Sequence, residues 1–220
     1  AVGKADTIIL NGAECEPYIT ADHRLMLERG EAVIGGARFI MKALGLKEAT
    51  IGIEGNKLDA VEHLKSLLPN GDTSIHVETL KTRYPQGAEK QLIQRVTGRE
   101  VPPGGLPADV GCVVFNVETC SAIYRAFAEG MPLIERCVTV DGDCIAEPRN
   151  LRVPLGTSVR ELIEYCGGLT DVPFKVINGG PMMGAPLTME QAVQAVVTKT
   201  TSGFLVLPEE GYLARHNEID

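Results

Sequence analysis

Ile9-Leu10-Asn11-Gly12-Ala13-Glu14-Cys15-Glu16-Pro17-Tyr18 is the stretch on which the reading of this chain turns. Thr7, Ile8, Ile9 and Leu10 lead into it without interruption. A short apolar run rich in β-branched residues marks a strand buried in an α/β sheet. Asn11-Gly12 is a turn signal, and beyond it two carboxylates flank a cysteine ahead of a proline. Ligands of open α/β sheets sit beyond the carboxyl ends of the strands, so these polar groups stand where a ligand would be. Glu14 and Glu16 are two residues apart and point the same way if the chain stays extended. Paired carboxylates suit hydroxyls, ring N–H groups or a cation, and they do not suit phosphate. The plain alternative is a solvated turn whose acids have no ligand.

Outward from this stretch the pattern alternates. Asp22 is placed to cap a helix in which Leu25, Met26, Val33, Ile34, Ala37, Ile40, Met41 and Leu44 recur at helical spacing, ended by Gly45. Gly35-Gly36 in its middle costs roughly 1 kcal/mol per glycine in propensity, which predicts close packing on a neighbour. Residues 49–54 read as a second strand, and Leu58, Val61, Leu64, Leu67 and Leu68 form the face of a second helix. Residues 74–78 read as a third strand. Tyr84-Pro85-Gln86-Gly87-Ala88-Glu89 is a glycine turn opening a helix that ends near Gly98, and it can bring a ligand close to backbone N–H groups. Val101 to Pro107 is a proline-rich surface loop. Cys112 to Phe115 is a buried strand that delivers Asn116-Val117-Glu118-Thr119 to the same edge, with a helix expected from Ser121 to Glu129. The alternation implies an α/β fold with a mainly parallel sheet and helices packed on it.

From about Arg136 the period changes. Cys137 to Val140, Asp141-Gly142-Asp143 and Cys144-Ile145 read as a hairpin, followed by a short strand from Leu151 to Pro154. Ser158-Val159-Arg160-Glu161 is a capping box for a helix closed by Gly167-Gly168, and Lys175 to Ile177 is a further strand. Hairpin, helix and strand make a small β-grasp-like module. Asn178 to Gly184 is a long glycine turn, Phe204 to Leu207 a last buried strand, and the residues from Gly211 a polar tail. The expected division is 1–135 for the α/β domain, 136–180 for a β-grasp module that folds without it, and 181–220 for a return segment.

The bulk numbers exclude some functions. At 220 residues the chain is long enough for a sizeable core. A net charge of −8 without a Lys/Arg cluster argues against nucleic acid as a partner. No apolar run approaches the ~20 residues of a membrane helix, so direct membrane insertion is not expected. Cys15, Cys112, Cys120, Cys137, Cys144 and Cys166 show no Cys-x-x-Cys spacing, which leaves buried free thiols as the expectation rather than a zinc or iron–sulfur loop. His23, His63, His76 and His216 are scattered, and no metal site is expected. Neither G-x-G-x-x-G after a strand nor G-x-S-x-G occurs. What remains is three polar turns, at Asn11 to Glu16, Gly87 to Glu89 and Asn116 to Thr119, each at the end of a strand on one sheet edge.

Together these turns resemble the flavin-binding subunits of NADH-oxidising complexes. The run Asn11 to Arg24 is similar, almost residue for residue, to the C-subunit family of Rnf-type ion-translocating electron-transport complexes. In the related respiratory NADH dehydrogenase flavoprotein the corresponding Asn-Ala-Asp-Glu-x-Glu-Pro contacts flavin mononucleotide (FMN) and the nicotinamide nucleotide (NAD), which implies those roles for Asn11, Glu14 and Glu16. The second turn is similar to that relative's Tyr-x-x-Gly-Glu-Glu, with Ala88 replacing the first Glu and leaving Glu89 to act beside Gly87. Asn116-Val117-Glu118-Thr119 matches Asn-Val-Glu-Thr, whose asparagine and threonine lie near the flavin phosphate. Residues 136 to about 178 look like the soluble-ligand-binding β-grasp (SLBB) domain that follows in these families.

The resemblance implies an electron-transfer subunit passing electrons between NADH, FMN and iron–sulfur clusters, peripheral on the cytoplasmic face of a membrane and held by other subunits of the complex. The family's preceding glycine-rich segment and its later [4Fe–4S] ferredoxin-like segment are both absent from these 220 residues. A central fragment, inactive alone and weak in flavin binding, is therefore expected. Two other readings stay open: a cobalamin reductase of the propanediol-utilising type, which shares the Glu-Cys-Glu-Pro turn, and a non-catalytic docking module.

Overall fold

The computed structural model describes residues 5–209, in two compact bodies. The polar tail from Gly211, with His216, lies outside the described residues. The first body comprises residues up to Cys15 together with Asp22–Pro132, and the second comprises Glu16–Ala21 together with the residues from Leu133 onward.

In the first body, β1 (Thr7–Gly12), β2 (Ala49–Glu54), β3 (Ile75–Leu80) and β4 (Cys112–Asn116) form one parallel sheet in the order β3-β2-β1-β4. Successive side chains of a strand face opposite ways, and β1 is apolar on both faces. Ile8 and Leu10 pack with Ile51, Ile53, Val33, Ala37, Val61, Leu64 and Cys120. Ile9 packs on the opposite face with Leu80, Leu92, Ile93 and Cys112. Helices α1 (Ala21–Glu28), α2 (Gly30–Leu44), α3 (Leu58–Ser66) and α5 (Val117–Ala128) supply the first cluster, and α4 (Glu89–Thr97) covers the second.

The single helix expected from Asp22 to Leu44 is two helices. Arg29 breaks the run with φ −133° and ψ 29°. Gly30 then packs so closely on α3 that a Cβ there would lie 2.7 Å from Leu67 Cδ1. The close packing expected of Gly35-Gly36 is present. A Cβ on Gly36 would fall 1.9 Å from the Cys120 carbonyl oxygen, and one on Gly35 would fall 2.2 Å from the Tyr124 ring. Helix α5 begins at Val117 rather than Ser121, because Asn116 Oδ1 accepts the Glu118 N–H at 2.8 Å and caps it there.

In the second body, β5 (Glu135–Asp141), β6 (Arg149–Pro154), β7 (Pro173–Asn178), β8 (Ala185–Leu187) and β9 (Gly203–Pro208) form a mixed sheet in the order β6-β5-β9-β7-β8. The hairpin partner of β5 is β6, not Cys144-Ile145. Gly142 (φ +112°) turns the chain beneath β9, where the Cys144 N–H donates to Val206 O at 3.1 Å, and Ile145 bridges to Leu169. Helix α6 (Val159–Tyr165) has the expected Ser158/Glu161 capping box and glycine stop. Strand β8 and helix α7 (Met189–Gln194), the latter capped by Thr188 and Gln191, have no counterpart among the elements expected from the sequence.

Strand β9 occupies the centre of this sheet and is buried on both faces. Phe204 and Val206 join the cluster under α6 and α7 with Val138, Val140, Val159, Leu162 and Val176. Leu205 and Leu207 pack with Ile177, Ile19 and Tyr18, so residues 16–21 supply part of this body's second core cluster. Thr20 fixes that segment: its N–H donates to Thr139 Oγ1 at 3.1 Å, and its hydroxyl pairs with Asn150.

Two outcomes follow from this packing. Gly36→Ala should lower unfolding stability by about 1–3 kcal/mol, since the obstacle is backbone rather than a side chain that can swing away, measured as the shift in the urea midpoint at constant slope. A segment of residues 134–180, which lacks β9, should give an undispersed amide spectrum, whereas residues 133–209 should give a dispersed one at reduced stability, for want of Tyr18 and Ile19.

Candidate functional site

Because all four strands of the first sheet run the same way, their carboxyl ends share one edge. Asn11 and Asn116 are register partners across β1 and β4 at that edge. Asn11 Nδ2 donates to the Gly87 carbonyl at 2.8 Å, and its Oδ1 accepts the Ala13 N–H at 3.1 Å. Gly87 lies so close that a Cβ on it would fall 2.1 Å from the Ala13 oxygen, and its N–H points to Cys15 Sγ at 3.4 Å. Glycine is required at 87 by this approach of two backbones. Asn116 Nδ2 donates to Asp22 Oδ2 at 2.7 Å. Three separated segments therefore meet: the turn after β1, the turn before α4, and the β4–α5 junction. Thr119 is exposed in the first turn of α5, and Glu89 is exposed in the first turn of α4.

The stretch after Gly12 does not stay extended. It bends at residues 16–18, where Tyr18 takes φ +70°, and the two acids of the opening motif acquire different partners. The Glu14 carboxyl accepts the Asp22 N–H at 2.8 Å and the His23 N–H at 3.2 Å. The cap of α1 is thus Glu14, where the sequence offered Asp22. Burial pushes the Glu14 pKa up, and the neighbouring Asp22 charge adds to this, to about 8, against the two N–H bonds and Lys57, which pull it down. Burial thus works against the charged form of Glu14. Glu16 belongs to the second body, where its Oε2 accepts the Met182 N–H at 3.0 Å.

Two charged residues that the sequence reading passed over hold this edge together. Lys57 is 6% exposed, and its ammonium donates to the Glu14 carbonyl at 3.0 Å and lies 3.8 Å from Glu54 Oε2. Glu54, 1% exposed at the end of β2, accepts the Arg83 N–H through Oε1 at 3.0 Å. The ion pair thereby ties the turn after β1 to the turn that leads to Gly87. Arg83 in turn donates from Nε to Gln86 Oε1 at 3.1 Å. Gln86 is 1% exposed, and its Nε2 has no hydrogen-bond partner among the described residues. The available signal was a Glu-Gly-Asn-Lys run directly after an apolar strand, the same strand-end position that drew attention to Asn11 and Asn116.

The described residues contain no group of three or more His, Cys, Asp or Glu able to hold a metal, and no helix long and apolar enough to cross a membrane. Cys112, Cys120, Cys144 and Cys166 are buried free thiols, and burial pushes the Cys120 thiol up to about 12.

Comparison with known proteins places this edge in a family. Residues 1–125 match the Nuo51 FMN-binding domain, and residues 137–186 match the SLBB domain. The C subunit of the proton-translocating ferredoxin:NAD(+) oxidoreductase complex of Clostridium ljungdahlii is 50% identical over 204 residues, which are 93% of this chain and 44% of that protein. Its counterpart in the Na(+)-translocating complex of Acetobacterium woodii is 47% identical over 207 residues, 94% of this chain and 46% of that one. The C subunit of the ion-translocating oxidoreductase complex of Rhodobacter capsulatus is 44% identical, with 91% and 38% covered. The chain thus spans less than half the length of these relatives. Crystal structures of NAD+-reducing [NiFe]-hydrogenase in the air-oxidised and H2-reduced states superpose with TM-scores of 0.76 and 0.71, at 19% and 21% identity, each over 92% of this chain and 40% of the other; the likeness is one of fold. With more than half of its length matched by the first of these domains, the chain belongs to the Nuo51 FMN-binding domain family.

Proposed function

We propose that this chain is the flavin- and nicotinamide-nucleotide-binding portion of the C subunit of an ion-translocating oxidoreductase. In that role it is peripheral at the cytoplasmic face of the membrane, is held by the other subunits, and serves electron transfer between NADH, FMN and [4Fe–4S] clusters carried elsewhere in the same polypeptide. The observation that carries the reading is the convergence of Asn11, Gly87 and Asn116 at the carboxyl edge of a parallel sheet, in a body of an FMN-binding family. Relatives named as C subunits of ferredoxin:NAD(+) oxidoreductases support it further.

The residues at this edge fit FMN. Gln86 brings a buried amide donor without an acceptor, next to a glycine that a side chain could not replace. Asn116 and Thr119 stand at the start of the twelve-residue helix α5, where backbone N–H groups and the helix dipole favour a phosphate. Burial disfavours the charge on Glu14, which eases the approach of an anionic cofactor. On this reading Asn11 orients the Gly87 turn toward the ring, Asn116 and Thr119 hold the phosphate end, and Glu89 serves the nucleotide. FMN, when bound, supplies the exchange between hydride and single-electron transfer. The protein's own contribution is placement, electrostatics and exclusion of water.

The test uses a subunit of the relatives' length that carries this chain, reconstituted with FMN and titrated with NADH. Stoichiometric flavin, bleached by NADH, is the expected result. A protein retaining neither flavin nor NADH would overturn the reading.

The Lys57–Glu54 tie gives a second outcome. Lys57→Met leaves Glu54 buried without its cation and should cost about 3–5 kcal/mol of stability, seen in denaturant unfolding. Changing Glu54→Gln along with Lys57→Met should cost less than Lys57→Met alone, because Gln still accepts the Arg83 N–H and no charge stays buried.

A further inference from the structure

Asparagine is followed by glycine at three places in this chain: Asn11-Gly12, Asn70-Gly71 and Asn178-Gly179. In such a pair no Cβ shields the glycine nitrogen, and it can reach the asparagine amide carbon wherever the backbone is free to bring the two together. The fold treats the three pairs differently.

Two of them are held. Asn11 lies in β1, between β2 and β4, and its amide is engaged at both ends, Nδ2 on the Gly87 carbonyl at 2.8 Å and Oδ1 on the Ala13 N–H at 3.1 Å. Gly12 is buried, and a Cβ on it would lie 2.9 Å from Met26 Sδ and 3.2 Å from the Gly52 oxygen. Asn178 ends β7 between Phe204 of β9 and Ala185 of β8. The nitrogen that would have to attack it is occupied, since the Gly179 N–H donates to the Gly203 carbonyl at 2.8 Å. At both places the sheet has to open before the two groups can meet.

Asn70 and Gly71 are free of such ties. They form the exposed middle of the turn between α3 and β3, closed by the Asp72 N–H on the Pro69 carbonyl at 2.9 Å. Gly71 takes φ +83°, as the third residue of a type II turn does. Neither the Asn70 amide nor the Gly71 N–H has a hydrogen-bond partner among the described residues. Apart from its chain neighbours, nothing lies within 4 Å of where a Cβ on Gly71 would stand. The next residue is fixed: the Asp72 carboxylate accepts the Ser74 N–H at 2.8 Å and Arg38 Nη2 of α2 at 2.8 Å.

We infer that Asn70 is a site of spontaneous deamidation, which the fold selects from three pairs of the same sequence. The Gly71 nitrogen gives its proton to water and bonds to Asn70 Cγ. The Cγ–Nδ2 bond breaks, the nitrogen leaves with a proton as ammonia, and a succinimide ring remains. Water then opens the ring at one of its two carbonyls, leaving an aspartyl or an isoaspartyl residue. Water enters, ammonia departs, and nothing is oxidised or reduced. Each converted molecule gains a negative charge beside the Asp72–Arg38 pair that joins this turn to α2. The inference goes beyond the proposed function and does not rest on it.

The experiment ages the folded full-length subunit in mildly alkaline buffer and digests it with trypsin under mildly acidic conditions. Cleavage after lysine and arginine puts the three asparagines on separate peptides, 5–24, 66–81 and 176–199, in which mass spectrometry reads the exchange of amide for acid. Peptide 66–81 should convert about 10-fold or more faster than the other two, because those react only through an opened sheet. The same protein aged in denaturant should convert all three at similar rates. Asn70→Ser should remove the acidic species from isoelectric focusing of the aged protein without moving the unfolding midpoint. An unconverted Asn70 in the folded subunit, or Asn11 or Asn178 converting as fast there, would overturn the inference. So would a preference for Asn70 that persists in denaturant, since the sequence and not the fold would then select the site.

Discussion

The ammonium of Lys57 is buried beside Glu54 at the end of β2, and the arrangement of the sheet edge depends on it. A buried ammonium is costly unless it is paired and its hydrogen bonds are met. Here the carboxylate of Glu54 lies within ion-pair distance, and the Glu14 carbonyl and Asn56 Oδ1 accept from it. The pairing is specific in what it joins. One end holds the backbone of the acidic turn after β1, and the other, through Glu54 Oε1, holds the backbone at Arg83 ahead of Gly87. Packed hydrophobes at 54 and 57 would stabilise the core as well, but they would tie neither turn.

Around that tie, small residues and short amides set the spacing. Asn11 and Gly87 bring two turns into backbone contact, and Asn116 joins the α5 start to Asp22, whose own N–H caps on Glu14. The links at Asn11 are hydrogen bonds between neutral groups, while the one from Asn116 ends on the Asp22 carboxylate. With Glu14 pushed up to about 8, burial works against one of the negative charges at this edge. In a chain of net charge −8, that is the local condition under which a phosphate-bearing cofactor can approach.

Much of the scaffold was legible because its signals are local. The buried strands at 49–54 and 112–116, the Ser158/Glu161 capping box and the glycine stops at 45, 98 and 167–168 announce themselves through periodicity and turn chemistry alone. The polar turns also stood out, since each follows an apolar strand. What escaped was decided by distant partners. Asp22 resembles a cap until Glu14 reaches its N–H, and Asp141-Gly142-Asp143 resembles a hairpin turn until β9 arrives above it. Lys57 and Glu54 look like surface charges, because nothing within a few residues reveals that the Glu14 carbonyl will come to lie over them. The partners of Glu16 are similarly remote: a backbone N–H on a turn far along the chain is not encoded in the Glu-Cys-Glu-Pro motif.

The membership of Glu16–Ala21 in the second body has a consequence for how the chain is made and inherited. The polypeptide crosses from one body to the other at 15/16, returns at 21/22 and crosses again at 132/133. During synthesis those six residues emerge early and wait for strands more than a hundred positions later, Thr20 for Thr139 among them. Closing so long a loop carries an entropic cost and slows assembly, so the first body has every residue it needs well before the second does. The two bodies are also not beads on a string. A gene rearrangement that moved residues 133–209 alone would leave behind Tyr18 and Ile19, which line that body's second core cluster.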